Sequence, residues 1–194
     1  MTPISYLKIK TTLSRLAVSV CLIVASLAPG ATYANTRALS SKRLNSLDND
    51  TRVRLHAAMR DMRKRGIRPR VNSTFRSQAE QRALYRCVRS RRCRARRGIY
   101  GAKRPGTSMH EAGLAVDLGG VAKGRRRRLT PKGRKMVRIM GKHGFRWRYG
   151  LKDPAHFELS PRLAGYRTEK AAIKAGQRRW VAKNRARRRA RRRA

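Results

Sequence analysis

Four histidines and nine acidic residues are spread through a chain that carries 52 lysines and arginines. Three of these rare groups, His110, Asp117 and His156, are of the types that hold a catalytic metal. A catalytic zinc site takes three protein ligands, for which histidine nitrogens and carboxylate oxygens are suited, and keeps a fourth position open for water. A free carboxylate close by can then take a proton from that water. Asp153, three residues before His156, is the candidate. The first two ligands sit in "TSMHEAGLAVDL" (107–118), the last two groups in "DPAHFE" (153–158).

These groups must be brought together by the elements that carry them. "GLAVDL" alternates, with Leu114 and Val116 facing one way and Ala115 and Asp117 the other, so it reads as a half-buried strand. In one continuous strand, His110 and Asp117 would project from opposite faces. Gly113 breaks the strand and lets His110 approach from a loop. Pro154 holds a bend that allows Asp153 and His156 to reach one point. "FRWRYG" and "HFELS" read as strands joined by a turn at "LKDP".

Helices flank these strands. Residues 47–66 show helical spacing of Val53, Leu55, Ala58, Met59 and Met62, capped by Asp48 or Asp50 and closed by Gly66. "IRPRVNSTF" (67–75) reads as a short strand. Ser77 and Glu80 have capping-box spacing, so a second helix starts there. Thr130, Pro131 and Gly144 mark the ends of a third. Helices and short strands without a βαβ rhythm predict an α+β fold: a small, mainly antiparallel sheet flanked by helices.

"SMHEAGLAVD" resembles the S-x-H-x-x-G-x-A-x-D motif of the zinc D-alanyl-D-alanine carboxypeptidases and L-alanyl-D-glutamate endopeptidases of peptidoglycan. "DPAHFE" is similar to their second motif, and "TFRSQAEQRALY" (74–85) to the segment upstream. The three stand in family order over about half the chain. The resemblance implies the DD-peptidase/hedgehog-like zinc peptidase fold over residues 47–165, and cleavage next to D-residues in peptidoglycan stem peptides. It implies that His110, Asp117 and His156 bind Zn2+ and that Asp153 is the general base. It further implies that Arg76 holds a substrate carbonyl or carboxylate and stabilises the oxyanion, and that Ser108 hydrogen-bonds the substrate. Whether action is of the carboxypeptidase or the endopeptidase type is left open; an Asp at the base position leans towards the endopeptidases.

Other polar groups read as structural. Glu111 follows a histidine, but the second histidine of H-E-x-x-H is missing. His143 falls at a helix C-terminus, where a cation is favourable. His56 and Glu158 are read as a helix residue and a strand residue, and Trp147, Phe145 and Tyr149 as core and pocket wall.

The ends of the chain differ from its middle. Lys8, Lys10 and Arg15, then the uncharged run 16–28, then "PGATYA" describe a secretory signal peptide over residues 1–34. That run is short for a membrane span, which needs ~20 apolar residues; a retained N-terminal anchor is the alternative. Residues 35–46 read as a flexible leader. An exported chain meets oxidising conditions, so Cys87 and Cys93 are expected to form a short-loop disulfide, with two free thiols as the alternative. Residues 166–194 read as a basic Ala/Arg-rich tail, of which 177–194 is expected to be disordered or frayed because like charges oppose helix.

The formal net charge of +43 demands a polyanionic neighbour or solvated arms. For an exported protein, in the periplasm or cell envelope, the expected partners are stem peptides in the cleft and an anionic envelope surface under the tail. Membrane association would be peripheral at most. Nucleic acid is the other polyanion, but no base-reading module accompanies the charge. A monomer is expected. A non-catalytic basic adaptor, binding envelope polymers or nucleic acid, is the competing reading; a missing ligand would have been its mark, and none is missing.

Overall fold

The computed structural model describes residues 44–90, 101–123 and 128–193. The elements follow in the order α1 (Asn49–Lys64), β1 (Val71–Ser73), α2 (Gln78–Arg89), α3 (Met109–Ala112), β2 (Ala115–Leu118), β3 (Ala122–Lys123), β4 (Arg128–Leu129), α4 (Pro131–Lys142), β5 (Phe145–Arg146), β6 (His156–Leu159) and α5 (Glu169–Arg193). Single 3-10 turns at Gly150–Lys152 and Pro161–Ala164 flank β6. The expected α+β architecture is present.

The sheet runs β1-β2-β6-β5 with every pair antiparallel. Alternation divides its two faces. Val116 and Leu118 of β2, with Phe157 and Leu159 of β6, point into the core. Leu55, Met59 and Met62 of α1 and Met136, Ile139 and Met140 of α4 complete that core. The intervening residues, Asp117, His156 and Glu158, therefore share the opposite face. The cap signals hold. Asp48 caps α1 through Asp50 N at 3.1 Å, Ser77 and Glu80 form a capping box on α2, and Thr130 caps α4 with Pro131 following.

Three expectations change. "FRWRYG" contributes only Phe145–Arg146 as strand, and the turn after it contains a 3-10 segment. His110 lies not in a loop but in the one-turn helix α3. The stretch from 177 on, expected to be disordered or frayed, is helical as far as Arg193, as the second part of α5 (Glu169–Arg193). The first half of α5 escapes charge repulsion because it packs: Ala172, Ile173 and Gly176 are buried against the fold. A Cβ on Gly176 would lie 2.3 Å from the Glu111 carbonyl oxygen, so only glycine permits this approach. The leader and the signal segment lie outside the described residues, apart from 44–46. Among the described residues, no helix is long and apolar enough to cross a membrane.

Candidate metal centre

The sheet register brings two of the three ligand candidates together: Asp117 of β2 and His156 of β6 are directly paired across the strands. His110 joins them from α3, which ends on Gly113 at φ +75°. That left-handed turn also packs against the α1 entry, where a Cβ would fall 2.8 Å from Asp48 N. The sequence argument that Gly113 redirects the chain is thus correct, with a helix in place of the loop.

Helix α3 is too short to hold itself, and its surroundings supply the partners. Glu111 is fully buried and accepts from the backbone N–H groups of Gly106 at 2.9 Å and Ser108 at 3.2 Å. Burial raises the Glu111 carboxyl above its ordinary value, partly offset by these backbone donors. Its carboxylate is thus engaged by the loop that precedes α3. At the other end, Arg76 N donates to the His110 carbonyl at 3.1 Å. Gln177 Nε2 donates to the Glu111 carbonyl at 3.2 Å, and Arg179 Nη2 to that of Ala112 at 2.7 Å. Helix α5 therefore satisfies carbonyls that a helix C-terminus leaves open.

The imidazoles are oriented by partners on their far sides. The Thr74 carbonyl, 2.6 Å from His110 Nδ1, can only accept, so Nδ1 carries the proton and Nε2 faces the centre. For His156 the roles are reversed: Nε2 donates to Glu158 Oε1 at 2.8 Å, and Nδ1 faces inward. Second partners of this kind fix the tautomer and ring orientation of metal-bound histidines.

The inward atoms form a small triangle. His110 Nε2 lies 3.3 Å from His156 Nδ1 and 3.3 Å from Asp117 Oδ1, and His156 Nδ1 lies 3.0 Å from Asp117 Oδ1. Zinc ligands about 2.0–2.1 Å from the ion at tetrahedral angles stand roughly 3.3–3.4 Å apart. The triangle fits such an ion with almost no rearrangement. Among the described residues, these three are the group of His, Cys, Asp and Glu side chains that could hold a metal.

Charge at the centre also favours a cation. Burial alone would raise Asp117, but the two imidazoles outweigh it and hold the carboxyl well below its ordinary value. Burial would lower His156, yet its bonds to Asp117 and Glu158 prevail and push it up to about 9. Burial would likewise raise Glu158, which His156, Lys103 and Arg148 bring down to about 2. The two carboxylates thus favour positive charge at His156, and a divalent ion bound at its Nδ1 edge would take the place of a proton there.

The centre opens into a cleft of about 990 Å³. Asp153, Arg76 and Ser108 all line it, so the structure brings together every site residue expected around the metal. Asp153 is exposed at the end of the 3-10 turn, and Trp147 Nε1 anchors the bend behind it by donating to the Pro154 carbonyl at 3.0 Å. Arg76 is aimed by Gln81 Oε1 at 2.7 Å and Ser73 Oγ at 3.1 Å, and one guanidinium nitrogen comes 3.9 Å from Asp117. Ser108 is buried at the start of α3. Tyr149 walls the cleft, its ring 5.3 Å from that of His156, as the sequence reading expected. His143 binds Asp61 at 2.9 Å and stays outside the site. Cys87 is disulfide-bonded; Cys93, its expected partner, lies outside the described residues.

Two functional neighbours escape the sequence reading. Glu158, read there as a strand residue, is the acceptor that orients His156. The signal was the spacing H-x-E within a strand, which places both side chains on one face. Ala115 is its cross-strand partner and leaves the space. Lys103 also lines the cleft, 3.7 Å from Glu158 and 5.6 Å from the centre of the Tyr149 ring. Nothing in its basic surroundings sets it apart in sequence.

Comparison with known proteins bears on what such a cleft does. The family model VanY, D-alanyl-D-alanine carboxypeptidase, matches residues 44–161. No curated protein matches. Among solved structures, the vancomycin resistance D,D-pentapeptidase VanY in complex with Zn(II) is 22% identical, with a TM-score of 0.40 over 67% of this chain and 78% of that one. VanYB in complex with D-alanine-D-alanine is 21% identical, with a TM-score of 0.40 over 68% and 77%. The LD-carboxypeptidase LdcB is 19% identical, with a TM-score of 0.44 over 68% and 64%; the match spans less than two thirds of that chain.

Proposed function

This chain belongs to the VanY family of D-alanyl-D-alanine carboxypeptidases, and from that membership we propose that it is an exported zinc peptidase acting on peptidoglycan stem peptides next to D-residues. The observation that carries the reading is the triangle of His110 Nε2, Asp117 Oδ1 and His156 Nδ1, with sides of 3.0–3.3 Å, at the floor of the cleft. These three residues would hold Zn2+. Bound there, zinc would polarise the scissile carbonyl and make water nucleophilic near neutral pH.

The remaining work falls to the chain's own groups. Asp153 stands at the cleft wall, where its carboxylate would accept a proton and later return it to the departing amine. Arg76, fixed by Gln81 and Ser73, would present its forked donor to the substrate carbonyl or carboxylate. Ser108 would bond the peptide backbone beside the metal. Lys103 and Arg76, both lining the cleft, would offer cationic partners to a free terminal carboxylate, which sets carboxypeptidase action ahead of endopeptidase action. The arginine-rich end of α5 would rest on an anionic envelope. A basic adaptor would not need a complete ligand set with both imidazoles oriented.

The test is incubation of zinc-loaded protein with a defined pentapeptide stem, read by mass spectrometry. Release of the terminal D-alanine is the expected product. Cleavage inside the stem would reassign the enzyme to the endopeptidases, and an intact peptide would remove the reading.

A further inference from the structure

A second groove, of about 620 Å³, runs along the exposed side of α5. Lys170, Lys174 and Arg178 line it at successive helical turns, and Arg185 extends the row; all four are exposed. Ile173 and Val181 form an apolar floor between them. None of the described residues lining the groove is acidic. Glu169, at the start of the helix, is engaged by Arg148 at 2.8 Å, and no acid follows it in the sequence. Like charges at i, i+4 destabilise a helix, so this stripe opposes the helix that carries it unless an anion lies along it.

The position of the groove identifies the anion. Gly106 lines it, while Lys103 and Ser108, a few residues to either side, line the catalytic cleft. One segment thus borders both depressions, so a polymer that extends from the cleft across this segment would meet the cationic row. A lipid surface fits less well. Beyond Val181 the helix has only alanine as an apolar residue, which gives it no face to bury among acyl chains. A stem-peptide polymer carries carboxylates at every repeat, and lysine and arginine rows pair with these.

We propose that the α5 groove is an exosite for the substrate polymer, in which Lys170, Lys174, Arg178 and Arg185 bind carboxylates of a stem next to the one in the cleft. The inference rests on the peptidase reading above. Each exposed ion pair is weak on its own. Several on one tethered polymer add through effective concentration. The groove therefore favours polymeric over short substrates and leaves the chemistry at the metal unchanged.

The test compares wild type with Lys170→Gln/Lys174→Gln/Arg178→Gln, whose side chains are exposed and do not line the catalytic cleft. On a soluble pentapeptide, kcat/KM should agree within about twofold. Affinity for insoluble peptidoglycan should fall several-fold to about tenfold in the variant, with a shallower salt dependence. Amidating the carboxylates of the peptidoglycan should abolish the difference between the two proteins. Equal affinity of wild type and variant for untreated peptidoglycan overturns the proposal. So does a difference that disappears once phosphate-containing polymers are stripped from the wall, or one that appears equally on anionic vesicles, because the partner is then a phosphate polymer or a membrane. If wild type fails on the pentapeptide, the peptidase reading falls, while the binding arms still report on the groove.

Discussion

His156 donates from Nε2 to Glu158 Oε1 at 2.8 Å while its Nδ1 faces Asp117 Oδ1 at 3.0 Å. Two residues apart on β6, the ligand candidate and its orienting acid share one sheet face. Removing the acid should leave the ring free to rotate and less basic. Glu158→Ala is expected to weaken zinc binding about 10–100-fold, as read by chelator competition. Glu158→Gln retains an acceptor oxygen and should lose less.

The triangle of inward atoms predicts which changes empty the centre. His110→Ala and Asp117→Asn should each abolish stoichiometric zinc in the purified protein and reduce D-alanine release to background. Circular dichroism should stay that of wild type for His110→Ala, because α3 is held through its backbone. Stripping the wild type with a chelator should lower its thermal midpoint, and zinc should restore it. No shift on stripping would argue against a resident metal.

Asp153 and Arg76 should separate chemistry from metal binding. Asp153→Asn is expected to keep zinc and lose kcat by about 10²–10⁴-fold, the usual contribution of general acid–base catalysis. Arg76→Lys keeps the charge and loses the fork. It should lower kcat/KM by about 10²–10³-fold if the guanidinium meets the developing oxyanion. A change confined to KM would assign Arg76 to ground-state binding alone.

Gly176 lets α5 reach α3, and a side chain there would collide with the Glu111 carbonyl. Gly176→Leu should destabilise the fold by about 1–3 kcal/mol, measured by denaturant unfolding. It should also raise the zinc dissociation constant, since Gln177 and Arg179 could no longer hold the backbone beside His110. Unchanged stability would mean that α5 docks in some other way.

Asp61 offers a pH test away from the metal. Its bond from His143, 2.9 Å long, lowers the carboxyl below its ordinary value. A group lowered in the folded state stabilises the protein above its unfolded pKa of about 4 and loses that effect as pH falls through the folded value. Wild type should therefore be more stable than Asp61→Asn at neutral pH, and the two should converge below about pH 4. A gap that persists in acid would point to packing instead.

The candidate ligands, though not their role, the caps of α1, α2 and α4 and the α+β architecture could be picked out from the chain because they depend on local chemistry. Histidine and aspartate are rare here against the arginine background, cap residues act on their own helix ends, and alternation in "GLAVDL" and "HFEL" sorts each strand into two faces. The register that pairs Asp117 with His156 could not be read this way. It depends on which strands meet, and that is a long-range choice. The same holds for three partners to which the sequence reading gave no part in the site: Thr74, which fixes the His110 tautomer, Glu158, whose role appears only once His156 is placed, and Lys103, one cation among many. The C-terminal arginines gave the opposite lesson. Local like-charge repulsion predicts fraying over 177–194, yet the helix is anchored upstream by the burial of Ala172, Ile173 and Gly176 and runs on to Arg193, and only the folded chain brings Gly176 and the Glu111 and Ala112 carbonyls within reach of one another.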